Sequence, residues 1–291
     1  MRSISLAIIA ALLPAAAFAA PMAGLTNSGG LVFFDSESPA LVGAVALSGL
    51  PGGETLVGID TRPATGELFA LTSSGRVAVI NPRNGVVSVI SSVPTTLLGS
   101  AFGLDFNPTV DRIRMISDAD QNLRFVPNTG DLAAIDSNLT PAGDKVGTAY
   151  DRSFPGSTLT TMFVIDSTSN SLARQGGVDG TPSPNGGAIT EIGPLNVDIN
   201  LQSDIDISQS GAMRAAFGVG AGSGLYAVDI ATGAATLRGN FPTGTVVTDL
   251  TFIPAFPTQT AQSVPSLSTW GTLGLGLALA LGGLVAVRRR A

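Results

Sequence analysis

Histidine and cysteine are both absent from this chain of 291 residues. Without them the chain cannot hold a Ser-His-Asp or Cys-His catalytic relay, an imidazole or thiolate zinc site, or a disulfide bond. Lysine occurs once, at Lys145. Any catalysis would therefore have to use carboxylates, hydroxyl groups, arginines or this single lysine.

Charged and aromatic residues are also scarce. Charged residues make up 12% of the sequence, against about a quarter in an average globular domain. One tryptophan and two tyrosines leave little material for an aromatic platform on which sugar rings could stack. Without the four arginines at its two ends, the chain has 11 basic and 21 acidic residues and a net charge of −10. An acidic body repels phosphate backbones, so we expect no nucleic acid partner.

Residues 1–19 have the layout of a secretory signal peptide. Arg2 provides a positive charge, Ile4 to Leu13 form an apolar stretch too short to span a bilayer, and Ala17-Phe18-Ala19 is a small-residue cleavage site. This layout predicts export from the cytoplasm, with cleavage after Ala19. An uncleaved N-terminal anchor is the alternative.

The C-terminal end carries a second membrane signal. Gly271 to Val287 is a run of 17 uncharged residues followed by three arginines. As a helix this run is about 26 Å long, which is at the short end for a bilayer span. We therefore predict one C-terminal transmembrane helix with its arginines in the cytoplasm, preceded by a linker over residues 254–263.

The last 28 residues resemble the IPTL-CTERM protein-sorting tail of Gram-negative bacteria, although Val264 stands for Ile and Ser266 for Thr. The residues that carry the resemblance are Val264, Pro265, Ser266, Leu267, Trp270, Gly271, Arg288, Arg289 and Arg290. The resemblance implies display at the cell envelope or cell surface of a Gram-negative bacterium, with membrane anchoring that is at least transient. It also implies an exosortase-type processing enzyme as a partner. A permanent single-span anchor is the alternative.

The middle of the chain is a repeat. Residues 25–35 (LTNSGGLVFFD) match residues 71–81 (LTSSGRVAVIN) without a gap, and looser copies occupy residues 116–127 and 221–229. A period of about 40–50 residues that contains four short strands is typical of a β-propeller blade. The sequence therefore predicts an all-β fold over residues 20–253, a β-propeller of five four-stranded blades. A sixth blade is possible if residues 177–203 contain a further hairpin.

Both chain ends are predicted to close the ring. The N-terminal strands Met22–Thr26, Gly30–Asp35 and Ala40–Leu47 lack an inner strand, and Val246–Ile253 at the other end supplies one. Closure of this kind covers the strand edges that would otherwise be exposed.

Three stretches of the repeat also resemble the bacterial domain-of-unknown-function family numbered 4394. They are Leu56–Leu71, Phe102–Ser117 and Gly224–Gly239. The resemblance runs from about Gly24 to Ile253. It implies a secreted, propeller-like domain and nothing more, because the activity of the family is uncharacterised and offers no catalytic residues to transfer to this chain.

Five predicted inner strands end in an aspartate, which gives the strongest candidate site. These residues are Asp60, Asp105, Asp151, Asp206 and Asp249. Carboxylates around a central tunnel suit a hard cation such as Ca²⁺. A residue repeated in every blade is more simply explained by a structural hydrogen bond to backbone amides of the neighbouring blade. We therefore expect buried, amide-bound carboxylates that need no cofactor or metal, with calcium as the alternative.

Arg62, Asn107 and Arg112 lie in turns at one predicted rim of the ring. An arginine there could clamp a carboxylate or a sugar, although pairing with an aspartate of the neighbouring blade is the simpler expectation. Taken together, these features predict an exported, surface- or envelope-displayed propeller that serves as a non-enzymatic binding or structural module. The alternative is a hydrolase or lyase that uses the tunnel carboxylates, with or without calcium.

Overall fold

The computed structural model of the protein describes residues 19–257. The predicted sorting motif, transmembrane helix and arginine tail lie outside the described residues, as do residues 1–18 of the predicted signal peptide and most of the predicted linker.

Within residues 19–257, twenty β-strands form five blades. Blade 1 contains β1 (Pro21–Thr26), β2 (Gly30–Asp35) and β3 (Ser38–Ala46). Blade 2 contains β4 (Leu56–Thr61), β5 (Leu68–Thr72), β6 (Val77–Asn81) and β7 (Val86–Val89). Blade 3 contains β8 (Phe102–Asn107), β9 (Arg112–Ser117), β10 (Asn122–Phe125) and β11 (Leu132–Ile135). Blade 4 contains β12 (Lys145–Tyr150), β13 (Met162–Asp166), β14 (Ser171–Gln175) and β15 (Ile189–Pro194). Blade 5 contains β16 (Asp204–Ile207), β17 (Met213–Val219), β18 (Gly222–Val228) and β19 (Ala235–Asn240), and β20 (Val247–Phe252) completes blade 1.

The closure by both chain ends is confirmed. Strand β20 pairs antiparallel with β1, with Phe252 opposite Met22 and Asp249 opposite Leu25. The sheet order β20-β1-β2-β3 makes blade 1 four-stranded like the others. The blade count of five is also confirmed, because residues 177–203 contain only two short 3₁₀ turns and the outer strand β15 of blade 4.

The core lies between the blades. All five residues of β5 are buried, whereas exposed and half-buried residues alternate along the outer strand β3. A middle strand packs against both neighbouring blades, so residues on both of its faces are buried. The cluster between blades 1 and 2 illustrates this packing, since Leu31 and Phe33 of blade 1 meet Ile59 and Ile80 of blade 2.

The five inner strands β4, β8, β12, β16 and β20 form a tight ring, each in contact with the next. Their close approach depends on glycine. A Cβ atom at Gly103 would lie 2.8 Å from the Thr148 backbone nitrogen and 2.9 Å from the Gly147 Cα atom. Side chains of the inner strands are therefore crowded around the axis of the ring.

Across residues 19–257, no helix combines the length and the hydropathy that crossing a bilayer requires.

Candidate functional site

Aspartates occupy two successive inward-facing positions of the inner strands. The two positions can be aligned between blades through the register of each inner strand with the second strand of its blade. At the position nearer the end of the strand, Asp60 lies opposite Phe69 and Asp105 opposite Arg114. Blade by blade, starting from blade 2, this position holds Asp60, Asp105, Ala149, Asp206 and Thr251. The position two residues earlier holds Gly58, Gly103, Gly147, Asp204 and Asp249.

The expectation of one aspartate at the same place in every blade is wrong for two residues. Asp151 follows the end of β12 and lies at the rim, where its carboxylate pairs with Arg152 at 3.1 Å. Asp249 occupies the earlier position. The sequence interpretation also missed Asp204, although strand periodicity aims it in the same direction as Asp206.

Three of these carboxylates come together. One oxygen atom each of Asp60, Asp105 and Asp206 lies within 4.8 Å of the other two. The three residues, which we call the tunnel triad, are 4%, 2% and 5% exposed. Asp204 and Asp249, the earlier pair, are each 1% exposed. Five carboxylates are thus buried around the axis.

Backbone amides hold two members of the tunnel triad. Oδ2 of Asp60 accepts a hydrogen bond of 2.7 Å from the Phe106 amide of blade 3, and Oδ1 accepts one from the Thr251 hydroxyl of blade 1. Oδ2 of Asp206 accepts a hydrogen bond of 2.7 Å from the Phe252 amide of blade 1. These bonds tie adjacent blades together, as the structural interpretation expected.

Other oxygens of the cluster are unpartnered. Oδ1 of Asp105, Oδ1 of Asp204 and both carboxylate oxygens of Asp249 accept no hydrogen bond within residues 19–257. In the same region none of the five aspartates forms a salt bridge. The expectation that every carboxylate is satisfied by amides therefore holds only in part for Asp105, Asp204 and Asp249. The nearest amides of the neighbouring blades, those of Tyr150, Leu250 and Ile59, only weakly favour their ionised forms.

Burial and mutual repulsion disfavour the ionised forms of these carboxylates. Burial, with the charges of neighbouring aspartates, raises the pKa of Asp60, Asp105, Asp204 and Asp249 well above the ordinary value. Burial also raises the pKa of Asp206 to about 6. Near neutral pH the cluster accordingly favours a partner that offsets its charge, either a proton or a cation.

The cluster opens toward solvent at one end of the ring. Asp60, Asp206 and Thr251 line a cavity of about 390 Å³ together with Arg62 and Pro254. We call it the mouth cavity. It gives small ions and water a route to the tunnel triad.

The structure separates the three rim residues predicted from the sequence. Arg62 pairs with Asp111 of blade 3 through two hydrogen bonds and donates a third, of 2.8 Å, to Asn128. Its guanidinium carbon also lies 5.9 Å from the centre of the Phe69 ring. Arg62 therefore has the neighbouring-blade partner that was expected, and its role is to join blades 2 and 3.

Asn107 and Arg112 instead line a second cavity, of about 260 Å³, with Arg114, Arg124 and Asn185. We call these five residues and their cavity the arginine pocket. The sequence interpretation missed the last three residues, because blade packing and the 178–186 segment of blade 4 bring them to the site.

The arginines of this pocket differ in their partners. Arg114 donates to Asp136 at 2.6 Å and to Asn185 at 2.6 Å, and Arg124 also pairs with Asp136. Arg112 donates only to backbone carbonyls of the turn before it, the nearer at 2.9 Å. Among the described residues Arg112 has no carboxylate partner.

Solved structures similar to this chain share low identity with it. One is a structural genomics protein of unknown function from Bacteroides thetaiotaomicron, with a TM-score of 0.49 and 12% identity over 79% of this chain and 63% of that one. This chain therefore spans less than two thirds of that protein. Another is a putative 6-phosphogluconolactonase from Bacteroides uniformis, with a TM-score of 0.41 and 16% identity over 78% of this chain and 83% of that one.

A search of the curated proteins found no match to the sequence. The family model described as "Domain of unknown function (DUF4394)" matches residues 30–251. That range includes most of blade 1 and all of the other four blades. The chain belongs to the DUF4394 family.

Proposed function

We propose that this protein is an exported propeller, displayed at the cell envelope or cell surface, that works as a non-enzymatic binding module. In this proposal it binds a small carboxylated ligand in the arginine pocket. The observation that carries it is Arg112, a guanidinium at a cavity with no carboxylate of its own to bind.

The charge of the arginine pocket supports an anionic ligand. Arg114 and Arg124 share the single carboxylate of Asp136. Asp179, which also lines the cavity, is paired with Arg152 at 2.6 Å. Because Arg152 also pairs with Asp151, the four arginines Arg112, Arg114, Arg124 and Arg152 face three aspartates. This leaves an excess of one positive charge, on a body whose net charge is −10. A local positive site on an acidic protein favours an anionic ligand at that site.

The size and chemistry of the pocket favour a sugar acid or a ligand of similar size. A volume of about 260 Å³ accommodates one sugar ring, and an arginine fork matches a carboxylate in geometry. The side-chain amides of Asn107 and Asn185 provide further donors and acceptors for hydroxyl groups.

Export and display rest on the two ends of the sequence. The first strand begins at Pro21, so cleavage after Ala19 would leave it whole, and the amide of Ala20 already donates to Ser36. The C-terminal helix would provide the membrane contact, and an exosortase-type enzyme would process it. N-terminal sequencing of the mature protein and fractionation of cells test this part, and a chain that begins at Met1 in the cytoplasm would contradict it.

A carboxylate-based hydrolase or lyase is the second candidate. It is favoured by Asp206, with its pKa of about 6, beside Asp60 at the mouth cavity. However, both residues already accept backbone amide hydrogen bonds, which restrict the geometry in which they could reach a substrate.

Calorimetric titration with galacturonate and glucuronate, and with galactose and glucose as neutral counterparts, tests the binding proposal. We expect the wild type to bind the acids and not the neutral sugars. Arg112→Ala should weaken binding about tenfold or more, because a charge-assisted pair contributes about 1.5–3 kcal/mol. Arg83→Ala, an exposed arginine in a turn of blade 2, is the matched control and should bind as the wild type does. Equal binding of acids and neutral sugars, or undiminished binding by Arg112→Ala, would contradict the proposal.

A further inference from the structure

We propose that the tunnel triad, Asp60, Asp105 and Asp206, is a calcium site inside the ring. This inference goes beyond the arginine pocket and does not depend on it. It reverses the expectation that the carboxylates need no metal.

The triad has the geometry that calcium requires. Oxygen ligands of one Ca²⁺ lie 2.3–2.6 Å from the ion, so they are at most about 5 Å apart. The three carboxylates present oxygens that lie within 4.8 Å of one another. Three ionised carboxylates also bring enough negative charge to offset a divalent cation.

A buried carboxylate oxygen without a partner is the second, independent observation. Asp105 is 2% exposed, and its Oδ1 atom accepts no hydrogen bond within the described part of the chain. A buried charged oxygen without a partner is costly. No guanidinium or ammonium group of residues 19–257 forms a salt bridge with the triad. A cation would supply the missing partner.

Further ligands are available around the triad. Oδ2 of Asp60 and both carboxylate oxygens of Asp206 accept one amide hydrogen bond each, so each keeps a second lone pair that can bind a metal. The hydroxyl oxygen of Thr251, which lies 2.9 Å from Asp60, faces the same site. Because the mouth cavity reaches Asp60 and Asp206, water can complete the six to eight ligands that calcium prefers.

The consequence of such a site is cohesion of the ring. Asp60 belongs to blade 2, Asp105 to blade 3 and Asp206 to blade 5. One ion would therefore join three blades, and the protein would respond to the calcium level outside the cell, where that ion is abundant.

The test uses the full-length chain, purified in a mild detergent and treated with EDTA. Titration with CaCl₂ alone should show binding, and 1 mM CaCl₂ should raise the melting temperature by about 3 °C or more. Asp105→Asn keeps the shape of the side chain and removes its charge, so it should weaken calcium binding at least tenfold. Asp131→Asn, an exposed acid before β11, should respond as the wild type does.

Two results would overturn the proposal. One is a wild type that neither binds calcium nor gains melting temperature. The other is an Asp105→Asn variant that binds calcium as the wild type does. If this variant fails to fold, Asp206→Asn takes its place. If both fail, anomalous scattering from wild-type crystals grown in CaCl₂ decides, since an ion elsewhere than between the three carboxylates refutes the assignment.

Discussion

The raised pKa of Asp206 makes stability depend on pH in a direction that can be worked out. Its pKa is about 6 in the folded protein against an ordinary value of 3.8. At a pH between these two pKa values, Asp206 is mostly protonated in the folded protein and mostly ionised in the unfolded chain. The stabilisation by this proton is complete below about pH 3.8 and is lost as the pH rises through about 6.

The magnitude follows from the two values. At about 1.4 kcal/mol per pKa unit the full effect is about 3 kcal/mol, of which about 2 kcal/mol lies between pH 4.5 and pH 7.5. The pKa values of Asp60, Asp105, Asp204 and Asp249 are raised as well. Protons on these four carboxylates also stabilise the folded state, so the total fall in the unfolding free energy of the wild type as the pH rises is larger.

The assay is urea unfolding in EDTA at pH 4.5 and pH 7.5 for the wild type and for Asp206→Asn. Between pH 4.5 and pH 7.5 we expect the unfolding free energy of the wild type to fall by at least about 2 kcal/mol more than that of Asp206→Asn. The stability of the variant at a single pH is not informative. Oδ1 and Oδ2 of Asp206 accept hydrogen bonds from the Ile207 and Phe252 amides, and the side-chain amide of Asn cannot accept both. Asp131→Asn should follow the wild type. Equal pH dependence of the wild type and Asp206→Asn would refute the reasoning.

Three further changes, with Gly52→Ala as a control for the first, test other parts of the structure. Gly103→Ala should destabilise the ring by about 1–3 kcal/mol or prevent folding, because the new methyl group meets backbone atoms at 2.8–2.9 Å. Gly52→Ala, with nothing within 4 Å, should leave the unfolding free energy within about 0.5 kcal/mol of the wild type. Arg62→Ala should lose about 1–2 kcal/mol in urea unfolding, since Asp111 loses its partner at a half-exposed site. A chain that ends at residue 246 lacks β20, and we expect no cooperative thermal transition, whereas retained cooperativity would contradict the closure.

The repeat predicts most of the fold because the same local bonds recur in each copy. In the LTxSG segments, Thr26 accepts a hydrogen bond from the Gly30 amide at 3.0 Å and Thr72 accepts one from the Arg76 amide at 3.2 Å. Each bond closes the turn between the two strands that it joins. A turn made by neighbouring residues leaves a sequence signature, and so the blade count and the closure could be predicted.

The aspartate cluster could be predicted only in part. A strand ending in Asp looks the same whether the aspartate faces the axis or follows the last paired residue, which is why Asp151 was misplaced. The glycine of the inner strand is the better guide. Asp60 and Asp105 stand two residues after it, whereas Asp151 stands four residues after Gly147. Asp206 stands two residues after Asp204 in the same way, so this spacing places Asp204 at the position that glycine occupies in the other blades.

The arginine pocket could not be predicted from the sequence, for a different reason. Arg112 and Asn107 are close in sequence, but Asn185 reaches Arg114 across 71 positions of the chain. Contacts of this kind arise from the packing of blade 3 against blade 4 and leave no periodic signal. Only the three-dimensional arrangement shows which arginines lack a carboxylate.

The most direct test of the central claim, that the arginine pocket is the ligand site of this propeller, is a crystal structure of the protein with galacturonate. We expect electron density in that pocket, with the ligand carboxylate within about 3.2 Å of the Arg112 guanidinium. Density for the sugar in the mouth cavity beside Asp60 and Asp206 would contradict it and would favour the carboxylate-based enzyme instead.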